Sequence, residues 1–436
     1  MQGILSSIGG VLWGAPMLIL FLFTGTRLTL KSGFLQFRHP LLIGKTFFSS
    51  FFKKKIKGEI SPFSAVCSVL GACLGTGNIV GVATAVCSGG PGTIFWMVFS
   101  SFFSMMIAYG ENYLGDIYTR RFSFQKNTTG AFSYIKNGID MPRLSRIYAF
   151  LGLMSALGMG NMAQSNSIGD TLSQSFNIPL VVIGIVIVVL CSIILQRGLK
   201  RIARLQTIAV PLAVTFYFVI SIAVLIKFRN NIIASVKLIL HEAFTPKAFG
   251  GFGIYKAMRY GISRGVFSNE AGLGSSTLLH AQADSESPEA QGIFAICEVF
   301  IDTVFMCGLT GLVITVSTTQ SDLFGTQLSA AAYSAIGNIG TNGISLLTAI
   351  FAFLSLASCS FYAEKSFQYL FGDRHTKLFR TMYIIIAFTG AVCSPQIIWE
   401  IADICNGLMA IPNLFALNCL IKEIYYPQKS HHSLLT

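Results

Sequence analysis

GACLGTGNIVGVATAVCSGGPG, running from Gly71 to Gly92, decides how this chain of 436 residues is read. The stretch lies in a segment otherwise apolar enough to cross a membrane, yet it carries glycine at Gly71, Gly75, Gly77 and Gly81. Glycine in a helix interior costs about 1 kcal/mol relative to alanine, so four at this spacing, with Thr76 and Asn78 among them, predict a helix that breaks partway. A broken helix exposes peptide N–H and C=O groups, which at membrane depth are tolerated only where they line a protein cavity or bind something. The Gly71/Gly75 and Gly77/Gly81 pairs also suit close small-xxx-small helix packing, so spacing by itself leaves both uses open.

Composition fixes the class around that stretch. Hydrophobic residues are 53% and charged residues 11% of the chain, with mean hydropathy +0.65, the profile of a multi-span membrane protein. The net charge of +13 does not point to nucleic acid, because the basic residues cluster in short loops between apolar spans, where the positive-inside rule puts them. The ten cysteines lie almost entirely in apolar segments without CxxC or Cys/His spacing, which argues against a disulfide framework or a transition-metal site. The first Lys or Arg is Arg27, so the N-terminus reads as a retained span rather than a cleaved signal.

Eleven helices are expected, at about 9–30, 62–88, 91–114, 146–168, 179–196, 205–226, 254–280, 291–316, 344–370, 378–396 and 399–421. Lys31, Arg38, Lys45, Lys53, Lys54, Lys55 and Lys57 hold the first loop on the cytoplasmic side, leaving the N-terminus outside and the C-terminus inside a cell membrane. Lys227, Arg229, Lys237 and Lys247 lie on a segment expected to be external, a departure that long loops tolerate. The segment YKAMRYGISRGVFSNEAGLGSSTLLH is a second glycine-interrupted region. The expected organisation is therefore 1–61, an extra helix and basic segment; 62–226, five spans opening on a broken one; 227–253, an external connection; 254–421, five more opening on another broken one; and 422–436, a cytoplasmic tail. An odd span count per unit inserts the second unit upside down, and corresponding breaks in inverted halves point to a transport site at the midplane.

The blocks GTGNIVGVATAV (Gly75–Val86), GGPGTIFWM (Gly89–Met97), GNMAQSNSI (Gly160–Ile168), RGVFSNEAGLGSS (Arg264–Ser276), HAQA (His280–Ala283) and DICNGLMAIPNL (Asp403–Leu414) resemble the alanine or glycine:cation symporter family. They cover nearly the whole chain in the right order. The resemblance implies an all-α, leucine-transporter-like inverted five-plus-five fold and transport of a small neutral amino acid driven by sodium or, less often, protons. No other cofactor is expected.

A zwitterion needs partners for both charges. At Gly75–Asn78 the N–H groups starting a half-helix offer a positive dipole to a carboxylate, and bare carbonyls offer oxygen to a cation. Thr76 adds a hydroxyl for either ligand, and Gly77 permits close approach. Gln164 and Asn166 are amides within an apolar span, and an unpaired buried amide costs about 1–3 kcal/mol, so each requires a neighbouring helix or a ligand. The family pattern favours Gln164 as a substrate contact. It also places Phe267 as an apolar wall over the substrate, with Ser268 and Asn269 supplying contacts. Sodium takes hard oxygen ligands, and the resemblance puts one site between the first and eighth core helices, where Ser355 and Ser358 join Thr76 as candidates. Ionisable residues inside a membrane are functional suspects. Among Glu111, Glu270, Glu298, Asp302 and Glu364, Glu270 is preferred, either as a residue supporting the site from behind or as a gate partner of Arg264.

Three positions depart from the family pattern as aligned. Ser358-Cys359 stand where a Gly-Trp pair is usual, and Cys359 for a bulky Trp should enlarge the substrate pocket. Ala108 replaces a Lys near Glu111, and Gly308 replaces a Thr after Cys307. The expected function is a sodium-coupled importer of alanine, glycine or a somewhat larger neutral amino acid. A proton-coupled transporter, a channel, and a membrane enzyme using His280 and Glu270 are the alternatives.

Overall fold

A computed structural model of the chain describes residues 2–49, 60–195, 198–245, 253–283, 287–318, 323–393 and 395–427. Lys53, Lys54, Lys55, Lys57, Lys247 and most of the tail lie outside the described residues. Among those described, every extended regular element is a helix, and one isolated bridge joins Ile60 to Ala283. Six helices are long and apolar enough to cross a membrane: Ser7–Lys31, Gly92–Arg121, Leu199–Lys227, Pro288–Ser317, Asn338–Phe371 and Trp399–Glu423. The apolar helices Pro62–Cys73, Val80–Gly89 and Leu180–Leu195 are shorter.

Numbered along the chain, the helices that frame the centre are α1 (Ala15–Lys31), α2 (Pro62–Cys73), α3 (Val80–Gly89), α4 (Gly92–Arg121), α5 (Pro142–Leu157), α6 (Gln164–Phe176), α7 (Leu180–Leu195), α8 (Leu199–Lys227), α9 (Ile232–Phe244), α10 (Gly253–Asn269), α11 (Ser276–His280), α12 (Pro288–Val299), α13 (Gly308–Ser317), α14 (Thr326–Tyr333), α15 (Asn338–Phe371), α16 (Thr376–Val392) and α17 (Pro395–Leu420). α4 runs along α10 and α12, α15 along α5 and α6, and α2 packs between α8 and α15. α9 lies within the segment expected to be a connection and docks on α4, where the Trp96 indole donates to the Ala243 carbonyl at 3.0 Å.

The predicted break is present. α2 opens with Pro62 after a Ser61 cap whose hydroxyl accepts from the Ser64 N–H at 3.2 Å, an arrangement that fixes the start of a helix. It stops at Cys73, passes through a tight three-residue turn at Thr76–Asn78, and resumes as α3. Glycine is required by proximity here: a Cβ on Gly77 would lie 3.0 Å from Ser268 Cα, so the two interrupted helices touch backbone to backbone at that point.

The second break is built differently. After α10 the chain turns through Glu270 (φ 55), Gly272 (φ 89) and Gly274 (φ 73) before α11. A left-handed residue other than glycine costs roughly 1–2 kcal/mol, so Glu270 has to be held there by its surroundings. The Asn413 amide supplies part of that hold, donating to the Gly272 carbonyl at 2.8 Å and also to Glu111, while the Tyr148 hydroxyl donates to the Leu273 carbonyl at 2.6 Å.

Two further helices carry irregular turns at the same depth. A π-helical turn at Gly158–Ala163 joins α5 to α6, and another at Phe300–Cys307 joins α12 to α13. Such turns widen a helix, expose a carbonyl and recur at functional sites. Here they present Gln164 and Asp302 to the breaks.

Candidate functional site

Asp302 is the centre of the buried polar cluster. Its carboxylate Oδ1 accepts from Asn78 Nδ2 at 2.7 Å and from the Ser268 hydroxyl at 3.0 Å, and its Oδ2 accepts from the Thr303 hydroxyl at 2.7 Å. Asn78 Nδ2 also reaches the Asp302 carbonyl at 3.0 Å, and Asn269 Nδ2 donates to the Thr303 hydroxyl at 2.9 Å. The first break therefore sends one side chain, Asn78, and the end of α10 sends two, Ser268 and Asn269, to one turn of the helix joining α12 and α13. All five of the residues named are buried. Thr76 Oγ1 and Asn78 Oδ1 are buried there without a hydrogen-bond partner. An unsatisfied buried polar atom costs about 1–3 kcal/mol, and both of these oxygens are free to take a further partner.

Gln164 reaches the first break directly: its Oε1 accepts the Thr76 N–H at 3.1 Å, and its Nε2 donates across the π-helical turn to the Met159 carbonyl at 3.2 Å. A Cβ on Gly75 would meet Gln164 Oε1 at 2.9 Å and Ser355 Oγ at 3.0 Å, so Ser355 also borders this break. Asn166 does not join them. Its amide donates to the Gly390 and Cys393 carbonyls at 3.2 and 2.9 Å, and it lines a separate vestibule of about 430 Å³ together with Val80, Asp170, Tyr260 and Glu400. That volume lies within the range of small-ligand sites.

Between vestibule and centre stands a closed partition. Arg264 makes a two-pronged pair with Asp403, Nη1 to Oδ1 at 2.7 Å and Nη2 to Oδ2 at 2.6 Å. The guanidinium covers the rings of Phe267 and Trp399, which stack with centroids 5.2 Å apart. The partner expected for Arg264 is thus corrected: it is Asp403, from α17, while Glu270 instead accepts from the Ser275 hydroxyl at 2.5 Å. Such a bidentate pair is geometrically specific, and it ties together two helices, α10 and α17, whose paired residues lie 139 apart in the chain.

The remaining expectations divide. Glu111 sits beneath the second break, held by Asn413 and beside the peptide groups of Gly272 and Gly274, so it has a hydrogen-bond partner although Ala108 stands where the family has Lys. Cys359 packs on Gly160, where an added Cβ would collide with it, and the adjoining hollow is only about 20 Å³, room for about one water. The enlargement expected from the loss of Trp is therefore absent in this conformation, because Met159 and Tyr362 close in beside Cys359. A Cβ on Gly308 would meet Val98 at 3.5 Å and the Thr303 carbonyl at 3.8 Å. Ser358 turns away from the break and donates to the Ser68 carbonyl at 2.9 Å. His280 binds Gln291 at 2.5 Å and Glu298 at 3.0 Å, not Glu270, so the pairing needed for an enzyme is not formed.

A buried polar junction between two interrupted helices, beside a vestibule in a helical membrane bundle, defines a membrane transporter of leucine-transporter-like fold. The same fold is found in MhsT in complex with L-phenylalanine (TM-score 0.64, 14% identity, covering 85% of this chain and 90% of that one). It is found also in a Na⁺-coupled sialic acid symporter (TM-score 0.55, 14% identity, 96% and 82%). The family model described as the sodium:alanine symporter family matches residues 1–433, and the chain belongs to that family. Its relatives include the sodium/alanine symporter AgcS of Methanococcus maripaludis, 36% identical over 95% of this chain and 93% of the relative. The probable sodium/glutamine symporter GlnT of Bacillus subtilis is 30% identical over 99% and 91%. The chain is a transporter and not an enzyme.

Proposed function

We propose that this chain is a secondary symporter that moves a small neutral amino acid, alanine, glycine or a somewhat larger one, with sodium by alternating access. The observation that carries the proposal is the close contact of Gly77, in the first break, with Ser268, at the end of the helix leading into the second, with Thr76 Oγ1 and Asn78 Oδ1 of the first break unpaired and Asn78 bonded to the Asp302 carboxylate. Asp302, Asn78, Ser268 and Thr76 offer one anionic and several neutral oxygens, the ligand set a hard cation takes. The N-terminus of α3 offers its dipole to the substrate carboxylate, Gln164 orients the first break, and Phe267 with Trp399 roofs the apolar side chain. The vestibule is the external entry, the N-terminus is outside, and residues 62–226 and 254–421 form the two inverted units. Relatives named for alanine and for glutamine support a neutral amino acid and leave its size open.

Uptake of labelled alanine, glycine and glutamine into proteoliposomes tests this. A sodium gradient is expected to drive at least one of them, and Thr76→Ala and Gln164→Ala to weaken it. Uptake driven by a pH gradient alone would assign Asp302 a proton instead. Uncoupled flux without counterflow would indicate a channel, and no flux of any of the three would overturn the reading.

A further inference from the structure

The junction of α2 and α15, where a coupling cation is expected from the sequence, is occupied by part of the protein itself. Gln206 of α8 is fully buried, and its Nε2 donates to the Leu354 carbonyl at 2.8 Å and to the Ser358 hydroxyl at 2.9 Å. The carbonyl can only accept, so the nitrogen of the amide, not its oxygen, faces these groups. Ser358 passes its own proton to the Ser68 carbonyl of α2. Three oxygens on two helices are thereby engaged by neutral hydrogen bonds that a cation would have to replace. Space is taken as well: a Cβ on Gly71 of α2 would overlap the Gln206 amide. Gln206 Oε1 has no hydrogen-bond partner, so the amide is held there by what its nitrogen does.

We propose that Gln206 sets the ion count of transport: its amide nitrogen stands in place of a second cation between α2 and α15, leaving the Asp302 cluster as the single coupling site. A cation that binds and leaves can make the α2–α15 contact conditional on ion occupancy. A tethered donor makes that contact permanent, so the resting arrangement of α2 against α8 and α15 does not wait for an ion. The inference rests on the symport reading above, but it fails or stands on a separate number.

Equilibrium binding of ²²Na⁺ to the purified full-length chain, with sodium chloride as the only ligand, gives that number. Gln206→Ala frees the Leu354 carbonyl and the Ser358 hydroxyl oxygen and empties the space beside Gly71, and is expected to bind one more sodium than the parent chain, whereas Gln206→Met, which fills the same space without a donor, is expected to bind no more than the parent. Ser358→Ala in the parent background is expected to change sodium affinity by less than about twofold; a rise in Kd of about tenfold or more, equal to about 1.4 kcal/mol, would make Ser358 a ligand and overturn the proposal. So would two ions bound by the parent chain, an extra ion in Gln206→Met, or an unchanged count in Gln206→Ala. A parent chain that binds no sodium would overturn sodium symport, while the difference between parent and Gln206→Ala would still decide the role of the amide. Should Gln206→Ala fail to fold, Gln206→Ser and the Ser358→Ala affinity carry the same decision.

Discussion

The two interruptions look alike in the sequence and are unlike in the structure. The first, at Gly75–Asn78, uses no left-handed residue and keeps two polar side-chain atoms unpaired. The second, at Glu270–Gly274, passes three residues through the left-handed region, and side chains from other helices clamp its carbonyls. The Thr277 hydroxyl takes the Gly274 carbonyl at 2.5 Å as well, and Asn112 binds Ser276 at 3.0 Å. The first break is held as well, by Gln164 on the Thr76 N–H and by the Thr310 hydroxyl on the Asn78 carbonyl at 2.7 Å, so the contrast lies in the two side-chain oxygens it leaves unpaired and in the left-handed turn of the second.

Substitutions can break or sharpen this contrast. Asn413→Ala should cost most, about 3–5 kcal/mol, because it strips Glu111, Gly272 and Tyr134 of a shared partner inside the bundle and leaves a buried carboxylate uncompensated. Thermal unfolding measures it, and a loss below 1 kcal/mol would show that the second break is not clamped. Gly77→Ala is next: a Cβ 3.0 Å from Ser268 Cα must push two backbones apart, at about 1–3 kcal/mol and with loss of uptake, and normal uptake would mean the breaks part easily. Thr76→Val removes a hydroxyl that bonds nothing, so stability should stay within about 0.5 kcal/mol. Its sodium affinity should nevertheless fall about tenfold, the weight of one lost ligand of about 1.4 kcal/mol, and an equal fall in stability would erase the contrast. Gly81→Ala is the smallest, with 3.9 Å to the nearest atom; a gain of up to about 1 kcal/mol from helix propensity, with uptake unchanged, is expected.

Much of this could be read before any coordinates, and the reasons differ by residue. Glycine spacing announced both breaks because the cost of glycine in a helix is local. Gln164 is legible as an amide in an apolar span, and Gln206, equally buried, carries the same signal. That signal separates nothing further: Asn166, two residues on from Gln164, points to a wall of the vestibule. Asp302 stood among five membrane carboxylates with nothing local to rank it above Glu270, since its position depends on a π-helical turn in Phe300–Cys307 that no glycine or proline marks. Asp403 as the partner of Arg264 is set by how α10 and α17 cross, which composition does not encode. The five-plus-five repeat and the count of eleven rest on the pattern; only six helices among the described residues are long and apolar throughout, because interrupted spans are assembled from short pieces.

The partition above the centre also has an optical consequence. The chain holds three tryptophans. Trp399 lies within the Arg264–Phe267 stack, and the indole of Trp13 donates to the Asp403 carbonyl at 3.0 Å, while Trp96 is anchored on α9. Two of the three native fluorophores thus sit on the partition itself, and their emission reports any change in its packing in unlabelled protein, with Trp399→Phe as the blank.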